Sequence, residues 1–387
     1  MHGGIDVWML AYWSIFIYTT IISWLCMRVN KSREYRSIIT QKYDVLERNV
    51  GILGALFSFA LVIFLSATRG FIEDTASYAA QFQGISENLA DIPDVLTSEE
   101  KGVLFSAVQI AFKHFISDDY QVWFTFLACF QGYAVAKFLS DYSKEFNFAC
   151  YLFVANGTFT WMMNGIRQFT AVCIVLLASK FLFNKKWWAF FICIGIAYYI
   201  HDTVIIWVIF YFIVQGKPFN KKVIFSIIMA VVVVIFMEQF TSVLDSALEG
   251  TNHEGATDQF AQDDGSNIMT TILYAVPVVI AFWKRGVIEA TQHPRHIDVL
   301  INMSCCTMAI SLIGNFTSGI LIGRLPIYFY FGNYVLLPWL IENCFVGSEK
   351  NIMKVGCYVG YFCYFVYYIN SQYYLSSIFE INEFINY

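Results

Sequence analysis

Charged side chains are scarce in this chain. Asp, Glu, Lys and Arg make up only 14% of its 387 residues, whereas 58% are hydrophobic and the mean hydropathy is +0.57. Soluble domains carry about a quarter of their residues as charges, so this composition excludes an ordinary soluble protein. The apolar runs are about 14 to 25 residues long, which suits membrane helices and exceeds the roughly 10-residue alternating strands of an outer-membrane barrel. We therefore predict an all-α integral membrane protein.

Sequence motifs of nucleotide, metal and serine chemistry are also missing. The chain contains no GxSxG, P-loop or GxGxxG motif and no Asp-x-Asp pattern of the kind that holds metal–nucleotide complexes. Its ten cysteines lie mostly inside apolar runs, without a CxxC pair or a Cys/His spacing that suits zinc. No basic stripe with interleaved aromatic residues indicates nucleic acid. We predict no cofactor, no metal site and no nucleic-acid partner.

Long apolar runs separated by short polar loops predict a helical bundle of about 12 transmembrane segments, within a range of roughly 10–14. The predicted spans are 5–27, 49–68, 120–139, 148–164, 168–183, 187–200, 203–215, 223–240, 268–283, 299–316, 325–341 and 352–373. A single transmembrane domain would cover residues 1–387. It would include an external segment, 69–118, with an amphipathic helix in its second half, and an external acidic loop, 241–267.

Basic residues indicate the orientation of this bundle. Cytoplasmic loops are enriched in Lys and Arg, so the strongly basic loop 28–48 places the N-terminus outside. In the resulting topology 19 of the 24 Lys and Arg residues are cytoplasmic. The other 5 fall on the outer face and are Arg69, Lys101, Lys113, Arg167 and Arg324. We interpret the two lysines as surface charges of the external segment.

The three outer arginines predict an anion site. The planar guanidinium binds phosphate through two parallel hydrogen bonds and stays charged. Alternatively, each arginine reaches the lipid headgroups alone or pairs with an external carboxylate. Asp74 follows Arg69 by five residues, and Tyr78 comes four residues later on the same predicted helical face. Asp74 is therefore a candidate general base or a partner that orients Arg69; a purely structural ion pair is the alternative.

The apolar run 187–215 is interrupted by His201 and Asp202. Basic residues flank both ends of the run, so both ends belong on the cytoplasmic side and the chain must cross the membrane an even number of times. We predict two short helices, 187–200 and 203–215, that meet at a turn near the outer surface. One long tilted helix is the alternative. A titratable His at this depth is a functional candidate.

Four short motifs occur in a defined order: RGFIEDTASY (69–78), NGIRQFTA (164–171), YYIHDTVI (198–205) and GRLPIYFYF (323–331). Together they resemble the EpsG-type family of multi-spanning exopolysaccharide and O-antigen polymerases, often called Wzy. The resemblance covers about residues 70 to 330. In this chain Asp202 follows His201 at a position where the family pattern has a small hydroxyl residue.

The resemblance implies a glycosyltransferase with a GT-C-like fold in the bacterial cytoplasmic membrane, its active site facing the periplasm or the cell exterior. The implied reaction transfers a growing glycan from undecaprenyl diphosphate onto a lipid-linked oligosaccharide repeat unit, in O-antigen, capsule or exopolysaccharide synthesis. The implied partners are this lipid-linked oligosaccharide, membrane lipids and a chain-length-regulating co-polymerase. The alternatives are a flippase or transporter of the same lipid-linked unit and a polysaccharide ligase or acyltransferase.

The resemblance also implies roles for individual residues. Arg167 and Arg324 would hold the donor diphosphate, and Arg69 would hold the acceptor diphosphate or orient Asp74. His201 would take the proton from the acceptor hydroxyl, or else donate a hydrogen bond to phosphate, with Asp74 as the next candidate base. Supporting roles are predicted for Gln168, Asp202, Glu73, Tyr78, Asn315 and Tyr328.

Overall fold

The computed structural model describes residues 7–39, 50–69, 74–98, 100–248, 266–319 and 322–371, and every regular element in these ranges is a helix. The α-helices are α1 (Val7–Ile39), α2 (Ile52–Ala67), α3 (Asp74–Gly84), α4 (Ile92–Thr97), α5 (Val103–Phe115), α6 (Tyr120–Tyr142), α7 (Phe146–Ala155), α8 (Ile166–Phe183), α9 (Trp187–Tyr198), α10 (Trp207–Val214), α11 (Lys221–Ile235), α12 (Met237–Leu248), α13 (Ile268–Trp283), α14 (Arg285–Ala290), α15 (Arg295–Gly314), α16 (Phe331–Cys344) and α17 (Gly347–Ser371). Short 3-10 helices cover Leu89–Asp91, Thr158–Met162, Asp202–Ile206 and Leu325–Tyr328.

Among the described residues, five helices are long and apolar enough to cross a membrane, judged by length and composition: α6, α8, α15 and parts of α1 and α17. Shorter apolar helices of 10–17 residues include α2, α5, α7, α9 and α13. Large apolar side chains such as Leu53 of α2 and Ile352 of α17 are exposed on the protein surface, where lipid tails would cover them. The predicted class, a helical membrane protein, is confirmed. The count of about 12 spans and the GT-C-like fold stay predictions.

Contacts divide the chain into two compact units. Unit 1 contains Met1–Ile205 and Ser348–Tyr387, and unit 2 contains Ile206–Gly347. In unit 1, α2 packs on α6, α1 packs on α7, and α8 packs on both α6 and α9. Every residue of α7 is buried, which is typical of a helix that is apolar around its whole circumference. In unit 2, α15 packs against α11, α13 and α16 and is the central helix.

Several helices end earlier than their apolar runs do. The predicted span 148–164 is α7 followed by the 3-10 helix Thr158–Met162, because Gly157 adopts a left-handed φ of +68° that ends α7. The predicted span 223–240 is broken at Phe236 between α11 and α12. As a result, the first part of the predicted loop 241–267 is helical; residues 249–265 lie outside the described residues.

The break predicted at His201 is present. Helix α9 ends at Tyr198, and a 3-10 helix starts at Asp202 and leads into α10. The alternative of one continuous helix through this run is therefore wrong. The predicted external segment 69–118 is more helical than expected, because it contains α3 and α4 as well as the predicted amphipathic helix, which is α5.

Gly157 packs against Tyr368 within unit 1, and a substitution can test this contact. A Cβ atom at this position would overlap the phenol ring of Tyr368 in α17, and the left-handed backbone is strained for any residue with a Cβ. We expect Gly157→Ala to destabilise the protein by about 2 kcal/mol or more, seen as a lower melting temperature in detergent. Gly195→Ala is the matched control, because nothing lies within 4 Å of a Cβ there. Equal melting temperatures for the two variants would contradict the contact.

Candidate functional site

Two of the predicted site residues contact the entry loop (Met162–Arg167), which leads into α8. Gly165 is the N-cap of α8 and has a left-handed φ of +68°. Its backbone N–H donates to Oδ2 of Asp74 at 3.3 Å. The carbonyl of Met162 accepts a hydrogen bond from Nη1 of Arg69 at 3.0 Å. The motif at 69–78 therefore packs against the start of the motif at 164–171, as a shared site requires.

Arg69 is the most deeply buried of the predicted arginines, with 2% of its surface exposed. Its Nη1 also donates to the carbonyl of Ser66 at 2.8 Å, and its guanidinium lies 4.2 Å from the ring centroid of Phe124. Burial lowers the pKa of Arg69 to about 10, so the side chain is still positively charged at pH 7. Nε and Nη2 are buried and have no hydrogen-bond partner among the described residues. Arg69 thus holds the entry loop in place through a hydrogen bond. Its Nε and Nη2 can still donate hydrogen bonds to a bound acceptor.

Arg167 lies in the first turn of α8 and is half-buried. Its Nη1 donates to the carbonyl of Lys101 at 3.0 Å. Gly102 follows with a φ of +80°, and a Cβ on it would lie 2.9 Å from both Cδ and Nη1 of Arg167 and 3.0 Å from the carbonyl oxygen of Ile200. Only glycine permits this approach. Arg167 is consequently held next to the residue that precedes His201.

His201 lies in the break between α9 and α10, with 19% of its side chain exposed. Its Nδ1 is 2.8 Å from Oγ1 of Thr203 and 3.8 Å from Oδ1 of Asp202. The hydroxyl that the resemblance leads us to expect directly after the histidine lies one residue later, on Thr203. A hydroxyl and a carboxylate both lie beside the imidazole.

The strap (residues 101–104) joins Arg167 to the turn that holds His201. The N–H of Leu104 donates to the carbonyl of Tyr199 at 2.9 Å. Nζ of Lys101 lies 3.8 Å from Oδ2 of Asp202. The strap therefore contacts the backbone before His201 and the side chain after it, while its own carbonyl accepts from Arg167.

Unit 2 contains three of the predicted residues: Arg324, Asn315 and Tyr328. Arg324 is the N-cap of a short 3-10 helix that ends at the buried Tyr328. Asn315 follows α15; its Oδ1 accepts a hydrogen bond from Oγ of Ser266 at 2.7 Å, and its Nδ2 donates to Oγ1 of Thr271 at 2.9 Å. The predicted residues of this unit thus lie in one compact stretch of chain.

Two glycines bring the ends of that stretch together. A Cβ on Gly314 would lie 2.9 Å from Cα of Gly323. Gly314 precedes Asn315, and Gly323 precedes Arg324. The contact therefore places the backbone of Arg324 close to that of Asn315 within unit 2.

Three predicted residues remain: Tyr78, Gln168 and Glu73. Tyr78 lies one turn after Asp74 on α3, with its ring centroid 6.3 Å from that of Phe105 in α5. Gln168 is buried in α8, and Glu73 lies outside the described residues. Within the described part of the chain, no group of three His, Cys, Asp or Glu side chains is placed to hold a metal ion.

Sequence reasoning missed Lys101, Gly102 and Thr203. Lys101 was interpreted as an ordinary surface charge, and its side chain is indeed 52% exposed. The available signal was its predicted position on the outer face, where the positive-inside bias disfavours any cation. Gly102, between that lysine and an apolar helix, was the second signal, because a glycine before a helix often takes a backbone conformation that other residues avoid.

Comparison with known protein families supports the resemblance that the four ordered motifs indicate. No curated protein and no solved structure matches the chain. The model of the EpsG family matches residues 52–387, which is most of the chain. The predicted resemblance is confirmed, and the chain belongs to the EpsG family.

Proposed function

We propose that this protein is a polysaccharide polymerase that transfers a growing glycan from undecaprenyl diphosphate onto a lipid-linked oligosaccharide repeat unit at the outer leaflet of the bacterial cytoplasmic membrane. Membership of the EpsG family indicates a polysaccharide polymerase-type role. The observation that carries the finer proposal is the strap. Through it, the cationic Arg167 and the titratable His201 belong to one hydrogen-bonded site in unit 1.

The proposed reaction breaks the bond between the anomeric carbon of the donor glycan and its diphosphate oxygen. It forms a bond from the same carbon to a hydroxyl oxygen of the acceptor sugar. The electron pair of the broken bond leaves with the lipid diphosphate, whose negative charge grows in the transition state. Arg167 and Arg324 stabilise that charge, and an interaction that strengthens as charge develops accelerates the step.

The acceptor hydroxyl must lose its proton as it attacks. We assign this proton to His201, because imidazole is the side chain that most often serves as a general base at neutral pH. Since Nδ1 faces Thr203, proton transfer is assigned to the other ring nitrogen, Nε2. Asp74 is the second candidate base. Its contact with the backbone of Gly165 also supports a role in holding the entry loop.

Arg69 is assigned to the acceptor side of the site or to the support of the entry loop. Its two buried donors, which have no partner in the described part of the chain, favour contact with an oxyanion, while its bonds to two backbone carbonyls favour support. A chain-length-regulating co-polymerase is the proposed protein partner. The active site is assigned to the periplasmic or external side, because only five of the chain's Lys and Arg residues fall there in the predicted topology and three of them are the proposed ligands.

The test is reconstitution of the purified protein in liposomes with the purified lipid-linked repeat unit. We expect chain extension, visible as a ladder of oligosaccharides, without any nucleotide sugar. Movement of the lipid-linked unit between leaflets without extension would assign a flippase instead. Transfer to an acceptor other than the repeat unit, again without extension, would assign a ligase.

A further inference from the structure

The strap is the shared support of the arginine and the histidine in unit 1. Its first carbonyl accepts from Nη1 of Arg167, and Leu104 is bonded to Tyr199, two residues before His201. Between these contacts, Gly102 lies against the side chain of Arg167. A ligand held by Arg167 would therefore lie next to the strap itself.

Lys101 adds a second cation at this place. Its Nζ lies 3.8 Å from Oδ2 of Asp202, and the two side chains are 52% and 26% exposed. Ion pairs of this length and exposure contribute little to stability. Lys101 can therefore exchange Asp202 for another anion at small cost, and lysine binds phosphate well as a point charge.

We propose that Lys101 is a further phosphate-binding residue of the site. In the empty protein it is paired with Asp202; when substrate binds, it pairs with the diphosphate next to Arg167. This inference rests on the proposed function, which places a diphosphate at Arg167.

This exchange has a consequence for His201. Once Lys101 contacts the diphosphate, Asp202 loses its lysine partner and still lies 3.8 Å from the imidazole. A carboxylate at this distance favours the charged form of a histidine. Binding of the anion therefore stabilises the imidazolium that forms when His201 accepts a proton. Gly102 contributes by keeping Arg167 and Lys101 side by side.

The test measures binding of inorganic pyrophosphate to the full-length protein in nanodiscs, by its effect on the melting temperature. Lys101→Ala is expected to weaken pyrophosphate binding by about tenfold, the loss typical of a charge-assisted hydrogen bond. Lys101→Arg should restore most of the affinity, because the positive charge returns. Lys186→Ala is the matched control, an exposed lysine at the other end of α9, and should bind as the wild type does.

Asp202→Asn is expected to change the pyrophosphate affinity in the opposite direction to Lys101→Ala. Removal of the carboxylate frees Lys101, so pyrophosphate should bind more tightly, and this gain should vanish when Lys101→Ala is present as well. A purely structural role of the Lys101–Asp202 pair would instead lower the melting temperature of both single variants without ligand and leave pyrophosphate affinity unchanged.

Equal affinity of wild type and Lys101→Ala, or no binding of pyrophosphate to the wild type, would overturn the assignment. The chain-extension assay separates this outcome from failure of the proposed function. Extension by the wild type together with unchanged pyrophosphate binding in Lys101→Ala removes only Lys101 from the site. Binding of pyrophosphate through Lys101 without any chain extension removes only the polymerase.

Discussion

Arg167→Lys is expected to lower chain polymerisation by about 100-fold or more, the usual cost of removing a group that stabilises transition-state charge. The guanidinium has one nitrogen committed to the carbonyl of Lys101, and its remaining donors are proposed to hold the leaving diphosphate. A lysine ammonium is a single point charge and cannot reproduce this planar fork. Because lysine keeps the positive charge, a loss of polymerisation would show that the geometry of the guanidinium is required and not its charge alone.

The measurement is the initial rate of chain extension by the purified variant, together with the length of surface polysaccharide in a polymerase-null strain. There we expect single repeat units in place of a ladder. Arg285→Lys is the matched control: Arg285 begins α14, and its guanidinium stacks on Phe282. Arg324→Lys should resemble Arg167→Lys, because both arginines are proposed to bind the donor diphosphate. Long chains made by Arg167→Lys would remove it from the site.

His201→Gln is expected to lower kcat by about 100- to 10,000-fold, the range for loss of a general base. Glutamine retains hydrogen-bonding groups near Thr203 but cannot accept a proton at neutral pH. If His201 acts only in the transition state, KM should change little while kcat falls. The measurement is steady-state chain extension at varied concentrations of the lipid-linked repeat unit.

The alternative role of His201 predicts a different pattern. A histidine that only donates a hydrogen bond to phosphate would raise KM on substitution and leave most of kcat. His114→Gln serves as the control, because His114 is an exposed histidine on α5 whose contacts are with the backbone carbonyl of Glu87 and the ring of Phe115. A His201→Gln variant with wild-type kcat would contradict the assignment as base and transfer that role to Asp74.

The order of the helices could be predicted from the sequence, because apolar runs long enough for a membrane are a strong signal. Their interruptions could be predicted only in part. The break at His201 was indicated by two polar residues within an apolar run and by basic residues on both sides. The break after α7 depends on the left-handed backbone of Gly157 and on the ring of Tyr368, which lies far away in the sequence.

The types of residue in the candidate site could likewise be predicted from the sequence, but the contacts that join these residues could not. Arg167 stands out as a charged residue at the end of an apolar run, and His201 as a polar residue within one. What joins them is the carbonyl of Lys101 and the missing side chain of Gly102. Backbone acceptors and absent side chains leave little trace in composition or charge, so contacts of this kind emerge only from the fold.

Helix α17, the last of the described helices, has a consequence for how the protein is made. Unit 1 is completed by α17, whose Tyr358 stacks on Phe148 and accepts a hydrogen bond from Tyr151 through its carbonyl. Tyr368 covers Gly157 just before the entry loop. The ribosome must therefore finish all of unit 2 before these aromatic faces of α7 gain their partners. We expect the nascent first half to need other protection throughout that interval, such as lipid or an insertion factor, and a stop codon near residue 347 to leave Gly157 without its contact to Tyr368.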